Sequence, residues 1–346
     1  MPLLKQETRK LDHIELALAA QTPHAEVDHR FYYEPLFSSH PSANSDLSLS
    51  FLGKKLNAPL WVSSMTGGVG PARHLNQNLA RVCREFGLGM GLGSCRVLLT
   101  DQTYFNDFNL RPILGYELPL YANLGIAQVE ELLAEQNKHH QLNDLVSKLE
   151  ADGLIVHINP LQEWFQPEGD RFKQSPLETL TKLCEIFKHK IIVKEVGQGL
   201  GPKSLKALLD LPIAAIELAA FGGTNFSKLE QLRGRNASMK ALSTVGHTAS
   251  EMVLSLNSLV EAKPEYRQKN IIISGGIESM LDGYFLRENL KFTSVIGQAK
   301  NFLTHAENYD ELKKFTAGQI DGLKVAKAFL VAKPIAPQNS CDQESL

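Results

Sequence analysis

Eight short apolar runs, each followed by a segment of helical character, constrain what this chain can fold into more than any other feature of its sequence. The runs are 59–64 (PLWVSS), 88–93 (LGMGLG), 119–123 (PLYAN), 153–158 (GLIVHI), 191–196 (IIVKEV), 213–219 (IAAIELA), 270–274 (NIIIS) and 293–297 (TSVIG). Their apolar residues are continuous rather than alternating, as in parallel strands covered on both faces. Between and after them, helical patterns span 73–86, 127–137, 176–188, 203–210, 248–262 and 279–290, with a last helix from Asp310 to Val331. A doubly wound open sheet shows the same alternation, but a count of eight rather than five to seven favours a closed (β/α)₈ barrel, a TIM barrel. Ahead of it, residues 9–20 (RKLDHIELALAA) are expected to form a short helix, followed by a polar connection through Ser38 to Asp46. Residues 333–346 are rich in Pro and polar side chains and are expected to form a disordered tail, leaving one domain over 1–332.

Composition narrows the classes of function. Lys plus Arg number 36 against 38 Asp plus Glu, a formal charge of −2, which gives no support to nucleic acid or an anionic membrane as partner. No window approaches the ~18 apolar residues of a membrane span, and the amino terminus has no apolar core of a secretory signal. Cys83, Cys95, Cys184 and Cys341 fall in no CxxC pairing and suit a reducing compartment. The expectation is a cytoplasmic protein acting on a small molecule.

In a barrel of this kind, chemistry gathers where the strands run out at their carboxyl ends. The fourth run emits His157, Asn159, Gln162 and Glu163 within seven residues, with Pro160 ending the strand. The first ends in Ser63-Ser64-Met65-Thr66-Gly67-Gly68, the second in Gly93-Ser94-Cys95-Arg96, and the third in Asn123-Leu124-Gly125. The fifth carries Lys194 and Glu195. A Lys inside an apolar strand is costly unless something accepts its charge. Glu195 is a poor counter-ion, because adjacent strand residues face opposite sides. The sixth run leads to Gly222-Gly223-Thr224, the seventh to Ser274-Gly275-Gly276-Ile277, and the eighth to Gly297-Gln298-Ala299. Glycines after the seventh and eighth strands are where this fold cradles phosphate with backbone N–H groups.

The motifs RKLDHI (9–14), SMTGG (64–68), GSCR (93–96), NLG (123–125), HINPLQE (157–163), QPEGDRF (166–172), VKEVGQG (193–199), GGT (222–224) and SGGI (274–277) occur in this order. With them the chain resembles the type 2 isopentenyl-diphosphate isomerases, flavoenzymes on a TIM barrel, from Arg9 to about Leu303. It departs from the family pattern at Cys95 (usually Gln), Glu217 (usually Asp), Ala220 (usually Gly), Glu278 (commonly Arg) and Met280 (commonly Gly).

The resemblance implies interconversion of isopentenyl and dimethylallyl diphosphate with reduced FMN and Mg²⁺, NADPH serving to reduce the flavin. It implies that Ser64, Met65, Thr66, Ser94, Asn123, Lys194 and Thr224 hold FMN, with Gly275, Gly276, Ile277, Gln298 and Ala299 on its phosphate side. Arg9, Lys10, Ser94, Cys95, Arg96, His157, Asn159 and Gln162 would form the substrate site, mainly at the diphosphate, and Glu163 would bind Mg²⁺. Lys194, His157 and Gln162 are the residues implied nearest the chemistry; His157 is assigned to the diphosphate in preference to proton transfer. A homotetramer or homo-octamer is implied as well. Two alternatives stand beside this reading: an FMN-dependent barrel oxidoreductase of the 2-hydroxyacid oxidase or dihydroorotate dehydrogenase type, and a non-catalytic flavin or prenyl-diphosphate binder.

Overall fold

In the computed structural model the eight apolar runs become the strands of one closed parallel barrel. The structure describes residues 2–336 except 43, 65, 66, 69, 71 and 235–238, with side chains from Arg9 onward. The barrel strands are β1 (Leu60–Val62), β2 (Gly89–Gly91), β3 (Leu120–Gly125), β4 (Gly153–His157), β5 (Lys190–Lys194), β6 (Ala215–Glu217), β7 (Asn270–Ile273) and β8 (Thr293–Gln298). Each pairs with the next in parallel, and β8 closes onto β1 with Gln298 beside Val62. Nearly every strand position is buried on both faces, which explains why the runs read as continuous rather than alternating.

Register decides which polar strand ends become neighbours. Gly125 of β3 lies beside His157 of β4, His157 beside Lys194 of β5, and Lys194 beside Glu217 of β6. In-register neighbours share a face, so these polar ends stand in one layer at the carboxyl mouth of the barrel.

Local chemistry fixes where the covering helices begin. Ser175 with Glu178, Thr248 with Glu251 and Ser279 with Asp282 form capping boxes at helices Pro176–Ile186, Ala249–Ala262 and Met280–Asn289. Each such cap is worth about 1 kcal/mol. Asp282 also accepts a hydrogen bond from Arg30 Nη1 at 2.6 Å, tying the amino-terminal connection to the barrel wall.

The end opposite the mouth is closed by an antiparallel hairpin, Leu49–Phe51 with Lys54–Leu56, whose turn residues Leu52 and Gly53 have φ of 53° and 81°. Its Phe51 is fully buried against Trp61, with ring centroids 6.0 Å apart. A second ribbon pairs Phe31–Tyr33 with Leu330–Ala332, joining the segment ahead of the barrel to the stretch that follows the last helix. Lys333 N–H then donates to Arg30 O and Ile335 N–H to Asn289 Oδ1, so the head of the segment expected as a tail is hydrogen bonded to the barrel. Residues 337–346 of that segment lie outside the described residues. No described helix is long and apolar enough to cross a membrane.

Candidate active site

The mouth of the barrel holds a cavity of about 390 Å³ lined from β1, β5, β6, β7 and β8. Ser64, Lys194, Thr224, Gly275, Gly276, Ile277, Gln298 and Ala299, all expected from the sequence, line it together, with Ser63 and Glu217. Its floor has an unusual property. Ser63 Oγ, Ser64 Oγ, Glu217 Oε2 and both amide atoms of Gln298 are buried without a hydrogen-bond partner among the described residues. Buried polar groups are nearly always paired, so a cluster of orphans around one cavity signals a polar ligand.

Lys194, 7% exposed, supplies the buried cation of this floor; its Nζ lies 3.9 Å from Glu217 Oε1, which also accepts a hydrogen bond from Ser274 Oγ at 3.2 Å. Glu195, its neighbour in sequence, turns the other way, as strand alternation predicts. Its Oε2 accepts from the N–H groups of Gly197, Gln198 and Gly199 at 2.7, 2.6 and 3.0 Å. Desolvation outweighs those bonds and pushes the Glu195 carboxyl up.

The glycine turn after β7 is required by its backbone. Gly275 has φ of 87°, and a Cβ there would sit 2.1 Å from Ala220 O. The β6 and β7 loops thus meet backbone to backbone on one side of the cavity, the kind of close, side-chain-free surface that accepts a phosphate.

A second cluster adjoins the first through His157. His157 Nδ1 lies 2.7 Å from Asn123 Oδ1, an oxygen that can only accept, so the ring hydrogen is on Nδ1 and Nε2 carries a lone pair. Desolvation first, and the charge of Lys194 second, push the His157 pKa down to about 3. Asn159 is buried and donates from Nδ2 to Gln162 Oε1 at 3.1 Å and to Glu163 Oε1 at 2.9 Å. Its own Oδ1 has no partner among the described residues. Glu163, also buried, accepts from the Asp170 N–H on Oε2 at 2.8 Å. Asp170 Oδ2 in turn takes Arg96 Nη1 at 2.9 Å and Gln128 Nε2 at 2.8 Å. Arg96, Asn159, Gln162 and Glu163 are therefore one network on helix Pro160–Phe165 and the loops beside it.

The other expected residues are more scattered. Ser94 is half-buried with Oγ 3.5 Å from the Arg96 N–H. Cys95 is fully buried, its thiol donating to Gly93 O at 3.4 Å, and burial pushes its pKa up to about 12. Cys83, Cys95 and Cys184 are free thiols. Met65 and Thr66 lie outside the described residues. Arg9 and Lys10 sit on helix Pro2–Ala17, exposed, and the structure does not bring them to the cavity. Glu217 was not among the expected site residues. The signal that would have found it is the one that picked out Lys194, an ionisable side chain at the end of an apolar strand.

Two groups can be tested against this geometry. A flavin mononucleotide fits: the orphaned polar atoms, the cation on the floor and the glycine turn are what an isoalloxazine and a phosphate require. For Mg²⁺ the donor set is the Glu163 carboxylate with the free amide oxygen of Asn159, and no group of three or more His, Cys, Asp or Glu able to hold a metal occurs among the described residues. That suits an ion brought in with phosphate oxygens and water rather than one caged by protein.

No family model matches the chain. It is 34% identical over 311 residues to an isopentenyl-diphosphate delta-isomerase of Rickettsia rickettsii (strain Sheila Smith), covering 88% of this chain and 87% of that one. It is 34% identical over 293 residues to the protein of the same name from Pelodictyon phaeoclathratiforme, covering 79% and 80%. Among solved structures it is similar to a flavocytochrome b2 variant with sulfite bound, with a TM-score of 0.60 at 14% identity over 87% of this chain and 72% of that one. A mandelate oxidase variant with a monooxide FMN adduct gives a TM-score of 0.53 at 12% identity, covering 88% of each. At these identities the structural likeness shows a shared fold.

Proposed function

The chain belongs to the isopentenyl-diphosphate delta-isomerase family, and we propose that it interconverts isopentenyl and dimethylallyl diphosphate using reduced FMN and Mg²⁺. It is an isomerase, so substrate and product differ only in where one hydrogen and one double bond lie. A proton is added at the terminal methylene carbon, the double bond shifts by one position, and a proton leaves the carbon on its other side. No electrons are gained or lost overall, and NADPH serves only to bring the flavin to its reduced state.

The observation that carries the reading is the pairing of two needs at one mouth. A cavity floored by Lys194 and orphaned polar atoms meets His157, the strand neighbour of Lys194, and beyond it the network of Arg96, Asn159, Gln162 and Glu163. Ser64, Met65, Thr66, Ser94, Asn123, Lys194 and Thr224 would hold the flavin, with Gly275, Gly276, Ile277, Gln298 and Ala299 at its phosphate. Bound and reduced, FMN would supply acid–base chemistry for the alkene. Lys194, which lines the cavity, would stabilise the negative charge of the reduced state.

Arg96 would supply a cation for the diphosphate, with hydrogen bonds from Ser94, Asn159 and Gln162; Arg9 and Lys10, exposed on the first helix and away from the cavity, would join it only as the resemblance implies. Cys95 would shape this site through its backbone, since its thiol is turned away. Glu163 would hold Mg²⁺ against the diphosphate oxygens. His157, neutral with its lone pair on Nε2, takes up a proton as the diphosphate arrives and then donates a hydrogen bond to it.

The test is an anaerobic assay. Purified protein is loaded with FMN, reduced with dithionite and given isopentenyl diphosphate with and without Mg²⁺. Formation of dimethylallyl diphosphate with the flavin still reduced at the end is expected. Bound flavin with no conversion would reject the reading in favour of a non-catalytic binder. The fold shared with flavocytochrome b2 and mandelate oxidase variants favours an FMN oxidoreductase as the second reading, and sustained NADPH consumption in step with turnover would select it.

A further inference from the structure

We propose that Glu217 is the counter-charge of Lys194 and sets the reduction potential of a flavin bound in the cavity that both residues line. The inference rests on the FMN reading and concerns what this chain does to that cofactor. Glu217 ends β6 and is completely buried, a carboxylate at the tip of an otherwise apolar strand. Register sets it beside Lys194, and the charged ends are 3.9 Å apart. Ser274 Oγ donates to one carboxylate oxygen at 3.2 Å, while the other has no partner among the described residues and the side chain lines the cavity.

A buried carboxylate with an idle oxygen is costly in a bare protein, and packing alone gives no reason to keep it. Glu195 does not serve as the counter-ion, because its carboxylate is committed to the N–H groups of residues 197–199. Glu217 is therefore the acid that faces Lys194 within 4.0 Å among the described residues.

A lone cation beside a flavin favours the charge that builds up on reduction and raises the potential. A carboxylate beside that cation offsets it. With the pair in place, a bound flavin would face less net positive charge than Lys194 alone would present. Because the site is buried, the effect of one charge several ångströms away is not screened to nothing, and removing it should move the reduction equilibrium by about tenfold.

The experiment compares FMN-loaded wild type, Glu217→Gln and Glu217→Asp by dye-equilibrated reduction at neutral pH. Glu217→Gln keeps the shape and loses the charge, and it should raise the two-electron midpoint by about tenfold in equilibrium constant, about 30 mV. Glu217→Asp keeps the charge and should stay close to wild type. An unchanged or lowered potential in Glu217→Gln overturns the proposal. So does loss of FMN from Glu217→Gln while Glu217→Asp retains it, which would make the carboxylate a binding contact, and so does loss of FMN from both. A wild-type protein that takes up no FMN is a different failure. It sinks the cofactor reading itself, and this inference falls with it.

Discussion

His157 and Glu163 each make a measurable demand on the folded protein before any substrate binds. His157 keeps its ring neutral down to about pH 3, against 6.5 for an unhindered imidazole, because desolvation and Lys194 oppose its charge. Between those two values the unfolded chain binds a proton that the folded chain refuses. Stability is therefore fully present above pH 6.5 and falls as pH drops toward 3, by at most about 1.4 kcal/mol per unit from this residue. His157→Gln should flatten that dependence in urea unfolding compared at pH 7 and pH 4.5; an identical slope in both proteins would refute the assignment. Glu163 accepts Asn159 Nδ2 on one oxygen and the Asp170 N–H on the other. In Glu163→Gln one amide NH₂ must face a donor, costing about 1–3 kcal/mol of stability. The Mg²⁺ requirement should rise by about tenfold with the loss of the charged ligand, while the flavin-to-protein absorbance ratio holds. Lost flavin with retained activity would contradict the metal role.

Elements decide which of these side chains meet. The turn after β7 works only with glycine: Gly275→Ala must strain a left-handed residue, about 1–2 kcal/mol, and drive a Cβ into Ala220 O. Its expected outcome is a protein with a lowered melting temperature that purifies colourless, and full flavin retention would show that the turn is not part of the phosphate side. The first helix makes the opposite prediction. Arg9 and Lys10 are exposed, so replacing both with Ala should leave thermal unfolding unchanged while raising KM for the diphosphate about tenfold, as expected for two lost charge-assisted contacts. An unchanged KM would remove them from the substrate site. Elements also differ in how legible they are in sequence. Eight barrel strands could be read because burial on both faces leaves an unbroken apolar run, and Lys194 stood out because it interrupts one. The strands Phe31–Tyr33 and Leu330–Ala332 could not, since each is three residues long and gains its hydrogen bonds from the far end of the chain. Glu217 was equally visible as an interruption in the sixth run, but its meaning depends on a register that only the folded barrel supplies. Asp170, linking Arg96, Gln128 and Glu163, sits in a recognisable motif, yet three partners from three elements cannot be inferred from spacing.

Over the whole molecule, apolar surface is left uncovered at the amino-terminal end and on the ribbon. Leu11, Ile14 and Leu18 project from or just beyond the first helix at a spacing of three and four, one face of a helix left exposed among the described residues. Farther along, Leu36 and Phe37 are 88% and 81% exposed, and Tyr32, Tyr33 and Val331 are exposed on the Phe31–Tyr33/Leu330–Ala332 ribbon. Isolated exposed apolar residues are ordinary, but a run of them beside a sheet ribbon is the mark of a surface that is covered in use. The formal charge of −2 gives little self-repulsion to oppose association. We therefore expect self-association, to the tetramer or octamer that the resemblance implies, read as molar mass by light scattering on the eluting protein. Leu36→Asp combined with Phe37→Asp should shift the mass to a smaller species without unfolding the barrel, since neither side chain contributes to the core. A monodisperse monomer at micromolar concentration would overturn the expectation, and an unchanged oligomer in the double variant would move the interface to another face.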